Sequence, residues 1–188
     1  MKYPEYLKSA EKHLKGCLAL LSSYTAGNHD PHVWLELYYL SGYIIEGLTI
    51  YSVYNLYGWH KHDDIMSINL AFTQSTGLDF YYNRKEKIVN GVQITPPLLL
   101  NRPKGALSVQ GHKFQEIVKQ LLKPNPTFNG IPYFGDGAID RDVETLIDHW
   151  DPKVRYYYST QQKIYPPLNS DVIQRLLLTC STIYTNHI

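Results

Sequence analysis

The sequence predicts an all-α protein, a helical bundle of about five helices with one inserted segment, and three observations support this fold class. Five segments carry apolar residues three or four positions apart, which is the spacing of a helix with one buried face. Hydrophobic residues make up 44% and charged residues 19% of the 188 positions, a composition typical of a globular domain. An Asn-Gly pair between β-branched residues interrupts the helical pattern near the middle of the chain. We therefore expect one domain over residues 1–188, with an insertion at about 60–111.

The first two predicted helices occupy the N-terminal part of the chain. The first runs from Tyr3 to about Tyr24, and Gly27-Asn28 ends it. Asp30-Pro31, a capping residue followed by a first-turn proline, opens a second helix that extends to about Tyr57 and ends at Gly58. Because this second helix is apolar on nearly all sides, we expect the other helices to pack around it. The predicted buried stripe of the first helix is Leu7, Ala10, Leu14, Cys17, Leu18 and Leu21.

Three shorter helices are predicted in the C-terminal half. They cover His112 to Leu122, Asp140 to Trp150, and Ser170 to about Thr185. Lys123-Pro124 ends the first of them and Asp151-Pro152 ends the second, because proline cannot continue a helix. Each has a single apolar face, as expected of a bundle helix. Their predicted buried residues are Phe114, Ile117, Val118, Leu121, Leu122, Val143, Leu146, Ile147, Trp150, Val172, Ile173, Leu176, Leu177, Cys180 and Ile183.

The insertion is the one part of the chain with a strand pattern. Asn90-Gly91 lies between the β-branched runs of Ile88-Val89 and Val92 to Ile94, which predicts a small hairpin with a two-residue turn. Pro96-Pro97 and Pro103 then interrupt any continuation. The hairpin is therefore placed between the second and third core helices. A second irregular segment, 124–137, is rich in proline and glycine and is predicted to be a loop.

Charge and hydropathy exclude some classes of function. Eighteen basic and seventeen acidic residues give a formal charge of +1, so no strong attraction of the whole molecule to nucleic acid or anionic membranes is expected. The segment Leu37 to Gly58 carries a single charge, Glu46, yet its tyrosines and this mid-span carboxylate favour a buried helix over a membrane span. No signal peptide is visible, and two cysteines make no disulfide framework. A cytoplasmic protein that does not contact membranes is expected.

Motifs of common cofactor and metal sites are absent from the sequence. There is no glycine-rich phosphate loop and no Cys-x-x-Cys pair. The histidines near His60 and His62, and those at His29 and His32, lack the i,i+4 spacing of a helical metal site. Cys17 and Cys180 lie on predicted buried stripes, and we interpret them as core residues. We therefore expect no metal, no cofactor and no catalytic residue.

Glu46 is the candidate functional residue that stands out from its surroundings. It lies in the middle of the most apolar predicted helix, where an isolated carboxylate costs several kcal/mol, roughly. It therefore needs a partner. Either it pairs with a cation or a tyrosine hydroxyl inside the core, or it faces a ligand in a cleft, and the first alternative is favoured.

Three segments together resemble the HEPN proteins. Tyr38 to Leu48 is similar to the second-helix signature of that family, and Gly111-His112-Lys113-Phe114 resembles the Gly-His start of its third helix. Trp150 followed by Arg155-Tyr156 resembles its closing tryptophan and Arg-Tyr pair. The matches occur in family order, and they account for the first 58 residues and those from Gly111 on. The resemblance implies an up-and-down helical bundle, often dimeric, and hence a single HEPN-like domain.

The resemblance implies two alternative functions. Some HEPN proteins are RNA-cleaving toxins paired with nucleotidyltransferases, and they use an arginine followed by a histidine after four to six residues. Here the nearest pair is Arg141 and His149, with seven intervening residues. One extra residue rotates a side chain by about 100° around a helix, so the ribonuclease motif is missing. Other members are non-catalytic and are associated with nucleotide binding.

We therefore expect a HEPN-like binding module for a nucleotide, an RNA or a protein partner, without the ribonuclease motif. The resemblance assigns its ligand-binding residues to Glu46, His112, Arg155 and Tyr156, with Tyr43 as a nearby aromatic residue. An arginine suits a phosphate and a tyrosine suits base stacking. The alternative is a metal-independent ribonuclease of a toxin–antitoxin system with a nucleotidyltransferase partner. A homodimer is expected in either case.

Overall fold

The structure, a computed structural model, is mostly helical. It describes residues 2–24, 30–56, 61–62, 87–89, 92–94, 118, 137, 139–157 and 164–188, with the backbone alone at 87–89 and 92–94. Four α-helices lie in these ranges: α1 (Pro4–Ser23), α2 (Pro31–Leu56), α3 (Arg141–Asp148) and α4 (Ser170–Thr185). A short 3₁₀ helix covers Pro152–Tyr156. The predicted all-α class is confirmed at this level.

Helix α1 begins at Pro4, where a first-turn proline is tolerated because its missing N–H has no helical partner to lose. Ala10, Leu14 and Cys17 are buried as predicted. Leu18 is 43% exposed, so its placement in the core was wrong. The reason is angular, since Leu18 lies roughly 80° around the helix from Ala10, at the edge of the buried stripe.

Helix α2 is the central helix, as predicted. The carboxylate of Asp30 accepts a hydrogen bond from the His32 amide (2.9 Å), and fifteen of the 26 helical residues are buried. Helices α1 and α4 and the 3₁₀ helix all pack against it. Gly47 allows α1 to pack closely on α2, because a Cβ there would lie 2.9 Å from the Tyr6 carbonyl oxygen and 3.3 Å from the Ala10 Cβ.

Helix α3 is shorter than predicted. Asp140 caps it by accepting hydrogen bonds from the amides of Asp142 and Val143, and the helix ends at Asp148 instead of Trp150. Asp151-Pro152 does not act as its terminator. The Asp151 carboxylate instead accepts from the Lys153 amide (2.7 Å) and, with the proline, starts the 3₁₀ helix.

Helix α4 has the predicted bounds, and all six of its predicted core residues are buried. Both cysteines are fully buried, as predicted, and burial raises the pKa of the Cys17 thiol to about 12. Arg175 of α4 forms ion pairs with Asp140 (2.5 Å), Asp142 (3.3 Å) and Asp171 (2.9 Å). These pairs connect the N-terminal ends of α3 and α4.

Strands β1 (Lys87–Val89) and β2 (Val92–Ile94) pair antiparallel, with Lys87 opposite Ile94. The Asn90-Gly91 turn lies outside the described residues, and so do Gly27-Asn28, Gly58 and the segment 124–136. Of the predicted helix 112–122 only Val118 is described, and it is buried. In the described ranges, no helix has both the length and the apolar character needed to cross a membrane.

Candidate functional site

The indole of Trp150 lies directly on the backbone of α2. Its Nε1 donates a hydrogen bond to the Tyr39 carbonyl oxygen (3.1 Å), and only 5% of the residue is exposed. A Cβ at Gly42 would lie 1.8 Å from the Trp150 Cε2 atom, so no larger residue fits there. This contact holds the chain after α3, and hence the following 3₁₀ helix, against the middle of α2.

Two tyrosines of α2 border this indole. The rings of Tyr39 and Tyr43 pack edge to face, with 5.1 Å between their centroids. Tyr43 also packs edge to face on Trp150, with 5.2 Å between the ring centroids. The Tyr39 hydroxyl donates to the Tyr43 hydroxyl at 3.3 Å. Both residues are half-buried, because they lie on a stripe of α2 that the described helices leave partly uncovered.

Arg155 and Tyr156 of the 3₁₀ helix complete this surface. The guanidinium carbon of Arg155 lies 4.5 Å from the centroid of the Tyr156 ring, and its Nη2 donates to the Tyr156 hydroxyl (2.5 Å). Hydrogen bonds to the hydroxyls of Tyr39 and Tyr156 raise the pKa of Arg155. Tyr156 is 71% exposed. We call Tyr39, Tyr43, Arg155 and Tyr156 the tyrosine–arginine surface.

Within the described ranges, no carboxylate lies at ion-pair distance from Arg155. Its guanidinium is oriented by two neutral phenols, which accept hydrogen bonds without neutralising the charge. Arg175 shows the contrast, since three carboxylates surround it. Arg155 is therefore an exposed cation whose guanidinium is fixed in orientation, an arrangement that favours binding of an anion.

Glu46 belongs to the same side of the bundle as Arg155. Burial, the hydrogen bond with Tyr39 and the negative charge of Glu46 together raise the pKa of Tyr43 to about 12, while the positive charge of Arg155 acts in the opposite direction. Both charges therefore lie close to one tyrosine. Glu46 is half-buried, so it is not the core carboxylate that the apolar helix suggested. The reason is that α2 keeps one partly uncovered stripe, on which Glu36, Tyr39 and Tyr43 precede it.

His13 of α1 borders this surface and was missed by the sequence reasoning. Its ring centroid lies 6.1 Å from that of Tyr43, with the two planes inclined by 32°. Burial and the neighbouring charge of Lys12 lower its pKa. The sequence did contain one indication that His13 is partly buried, because it lies three residues after Ala10, at the edge of the buried stripe of α1.

The structure brings together four of the five predicted ligand-binding residues: Tyr43, Glu46, Arg155 and Tyr156 lie around one surface. His112 lies outside the described residues. The alternative ribonuclease pair is separated, because Arg141 begins α3 and His149 follows its last residue, roughly 12 Å away along the axis. The His149 Nδ1 lies 2.9 Å from the Thr145 carbonyl oxygen of its own helix.

A serine and a histidine also meet on the opposite edge of α2. The Ser52 Oγ lies 2.5 Å from the His187 Nε2, and the His187 Nδ1 lies 2.6 Å from the Ile183 carbonyl oxygen. Ser52 is only 2% exposed and also donates to the Leu48 carbonyl oxygen (2.6 Å). A nucleophile needs access to a substrate, so we interpret this buried pair as a structural connection between the end of α4 and α2.

No protein-family model, curated protein or solved structure matches this chain. In the part of the chain that the structure describes, no group of three or more metal-ligating side chains converges. The function therefore has to be inferred from the tyrosine–arginine surface.

Proposed function

We propose that the protein is a HEPN-like binding module and that its tyrosine–arginine surface binds a nucleotide. The observation that carries the proposal is the Arg155 guanidinium, which two tyrosine hydroxyls orient and no described carboxylate neutralises. A cation of this kind attracts a phosphate. The aromatic rings beside it supply the apolar contact that a base requires.

The phosphate is bound by Arg155. A guanidinium has five N–H donors, and the hydroxyls of Tyr39 and Tyr156 use two of them. The remaining donors form a planar fork that matches two oxygens of a phosphate. Because the phenols already fix the guanidinium, little side-chain entropy is lost when the ligand binds.

The base stacks on Tyr156. Arg155 covers one face of this ring, while the residue as a whole is 71% exposed, so the opposite face is open to a ligand. Base stacking on an aromatic side chain contributes about 1–3 kcal/mol and does not depend on which base is present. Glu46, whose charge acts on Tyr43, is assigned to the site by the family resemblance. His112 remains part of the proposed site through the family resemblance alone.

The binding proposal is tested by titrating AMP, GMP, CMP and UMP, with adenosine as the ligand that lacks the phosphate, by calorimetry at low salt. Arg155→Ala is expected to weaken AMP binding by about 10- to 100-fold, because a hydrogen bond to a charged group contributes roughly 1.5–3 kcal/mol. Arg155→Lys keeps the charge without the planar fork and should give an intermediate loss. Arg141→Ala removes another exposed arginine and is the matched control, expected to leave affinity unchanged. Equal affinities for AMP and adenosine, or an Arg155→Ala variant that binds like the wild type, would refute the proposal.

The resemblance extends the proposal to the fold and the assembly. We propose an up-and-down bundle of five helices, with the β1–β2 hairpin in an insertion at about 60–111, and a cytoplasmic homodimer. Tyrosine-rich helix faces offer large amphipathic contact areas for such pairing. Sedimentation at micromolar concentration should then give twice the 21.8 kDa of one chain, and a single 21.8 kDa species would contradict the dimer. Pull-down with a small nucleotidyltransferase encoded next to this chain would test the proposed partner.

A further inference from the structure

We propose that His13 is a further ligand-binding residue of the tyrosine–arginine surface, one that contributes a positive charge to the ligand only in mildly acidic solution. The inference rests on the proposed nucleotide binding and adds the third element, α1, to the site. It predicts that a ligand with more than one phosphate binds more tightly as the pH falls.

His13 contacts the other proposed binding groups through the ring of Tyr43. Its imidazole contacts Tyr43 with 6.1 Å between centroids, and Tyr43 contacts Tyr39, whose hydroxyl is bonded to Arg155. His13 is half-buried, which leaves part of its ring accessible beside Tyr43. One turn further along α1, Gly16 is exposed and a Cβ there would contact nothing within 4 Å. The edge of α1 next to His13 is therefore open to an extended ligand.

The charged and titratable groups around His13 come from three elements, and among the described residues Lys12 is the group whose charge acts on the imidazole itself. On α1 the neighbouring cation is Lys12, while Glu11 is engaged by Lys15 at 2.6 Å. On α2 the facing groups are the Tyr43 hydroxyl, the Tyr39 hydroxyl that donates to it, and the Glu46 carboxylate that acts on Tyr43. From the 3₁₀ helix, Arg155 acts on the same tyrosine.

The free protein disfavours a proton on this imidazole. Burial and the charge of Lys12 lower the pKa of His13 below the ordinary 6.5, so the ring is neutral at pH 7.5. A phosphate bound at this edge acts in the opposite direction, because a negative charge stabilises the imidazolium. Linkage then requires the reciprocal effect, in which protonation strengthens ligand binding. Arg155 keeps its charge over this pH range and binds one phosphate, and His13 adds a second contact only as the pH falls and its ring takes up a proton.

The test measures the dissociation constant of a fluorescent trinucleotide without terminal phosphates, at constant ionic strength and at pH 5.5, 6.5 and 7.5. Its phosphodiesters keep their charge over this range, so only the protein titrates. The wild type is expected to bind about fivefold more tightly at pH 5.5 than at pH 7.5, the effect of one partly screened charge contact. His13→Gln should match the wild type at pH 7.5 and show no pH dependence. His149→Gln, which removes an exposed histidine elsewhere, is the matched control and should retain the full pH dependence.

The outcomes separate this inference from the proposed function. Trinucleotide binding that requires Arg155 but does not vary with pH, or varies equally in His13→Gln, overturns the role of His13 and leaves the nucleotide site intact. Absence of binding at every pH, or binding that ignores Arg155→Ala, overturns both. Should His13→Gln not fold, the NMR titration of His13 in the wild type decides. Its midpoint should move to higher pH when the trinucleotide is added, and an unchanged midpoint overturns the inference.

Discussion

Substitution of Gly42 by alanine should destabilise the protein, although alanine is the better helix former. The new Cβ would lie 1.8 Å from Trp150 Cε2 and 2.1 Å from its Nε1, so the rigid indole has to leave its position on α2. That displacement exposes a residue now 95% buried and breaks its hydrogen bond to the Tyr39 carbonyl oxygen. Removing a buried aromatic side chain costs about 3–5 kcal/mol, and the helix propensity of alanine returns about 1 kcal/mol. The net loss should be about 2–4 kcal/mol.

Gly16→Ala is the matched control for this substitution. Gly16 also lies inside a helix, α1, but an added Cβ would meet nothing within 4 Å, so the same change should stabilise the protein by up to about 1 kcal/mol. Urea unfolding followed by far-UV circular dichroism measures both variants. In a Trp150→Ala background the penalty of Gly42→Ala should disappear, because the clashing indole is gone. A Gly42→Ala variant as stable as the wild type, or a penalty that persists without Trp150, would refute the proposed contact.

Three further predictions concern other contacts. Tyr38→Phe should cost about 1–3 kcal/mol of unfolding free energy, because the buried Leu146 carbonyl loses its 2.8 Å hydrogen bond, while exposed Tyr165→Phe should cost nothing; equal urea midpoints would contradict this. Burial lowers the pKa of His187, so the unfolded chain binds more protons than the folded protein near pH 6. The free energy of unfolding should therefore fall as the pH is lowered from 7.5 to 5.5, and it should fall less steeply in His187→Gln. The same pH dependence in both proteins would refute this role of His187. The purified protein should not cleave single-stranded RNA in gel assays, and cleavage that His149→Ala abolishes would restore the ribonuclease alternative.

The helices were predictable to the extent that local spacing determines them. Helix α4 has the predicted bounds and core, since its capping Asn169 and its apolar period both act within a few residues. The error at Leu18 arose at the edge of a stripe, where a rotation of roughly 80° decides between core and solvent. The error at Asp151-Pro152 has a different cause. An aspartate followed by a proline suits the start of a helix as well as the end of the previous one, and the pattern alone does not decide between them.

The sequence allowed individual residues of the candidate site to be predicted, but not their arrangement in space. Arg155, Tyr156, Tyr43 and Glu46 were selected by resemblance, but their arrangement depends on the contact between Gly42 and Trp150, which lie more than a hundred positions apart. No local period encodes such a contact. His13 was missed because a single histidine among the lysines of an amphipathic helix carries no motif. The five-helix count, the hairpin turn and the position of His112 stay predictions.

The contact between Gly42 and Trp150 also couples the stability of the fold to the shape of the proposed binding surface. Trp150 precedes the 3₁₀ helix that carries Arg155, and its indole packs on the tyrosine whose ring separates Arg155 from His13. Displacing the indole therefore releases Arg155 from the Tyr39 hydroxyl even where the helices stay folded. Gly42→Ala should weaken AMP binding nearly as much as Arg155→Ala, at urea concentrations well below its unfolding transition. The double variant should be no weaker than Arg155→Ala alone, because both substitutions remove the same contact. Additive losses of affinity would mean that Arg155 is held by something other than this packing.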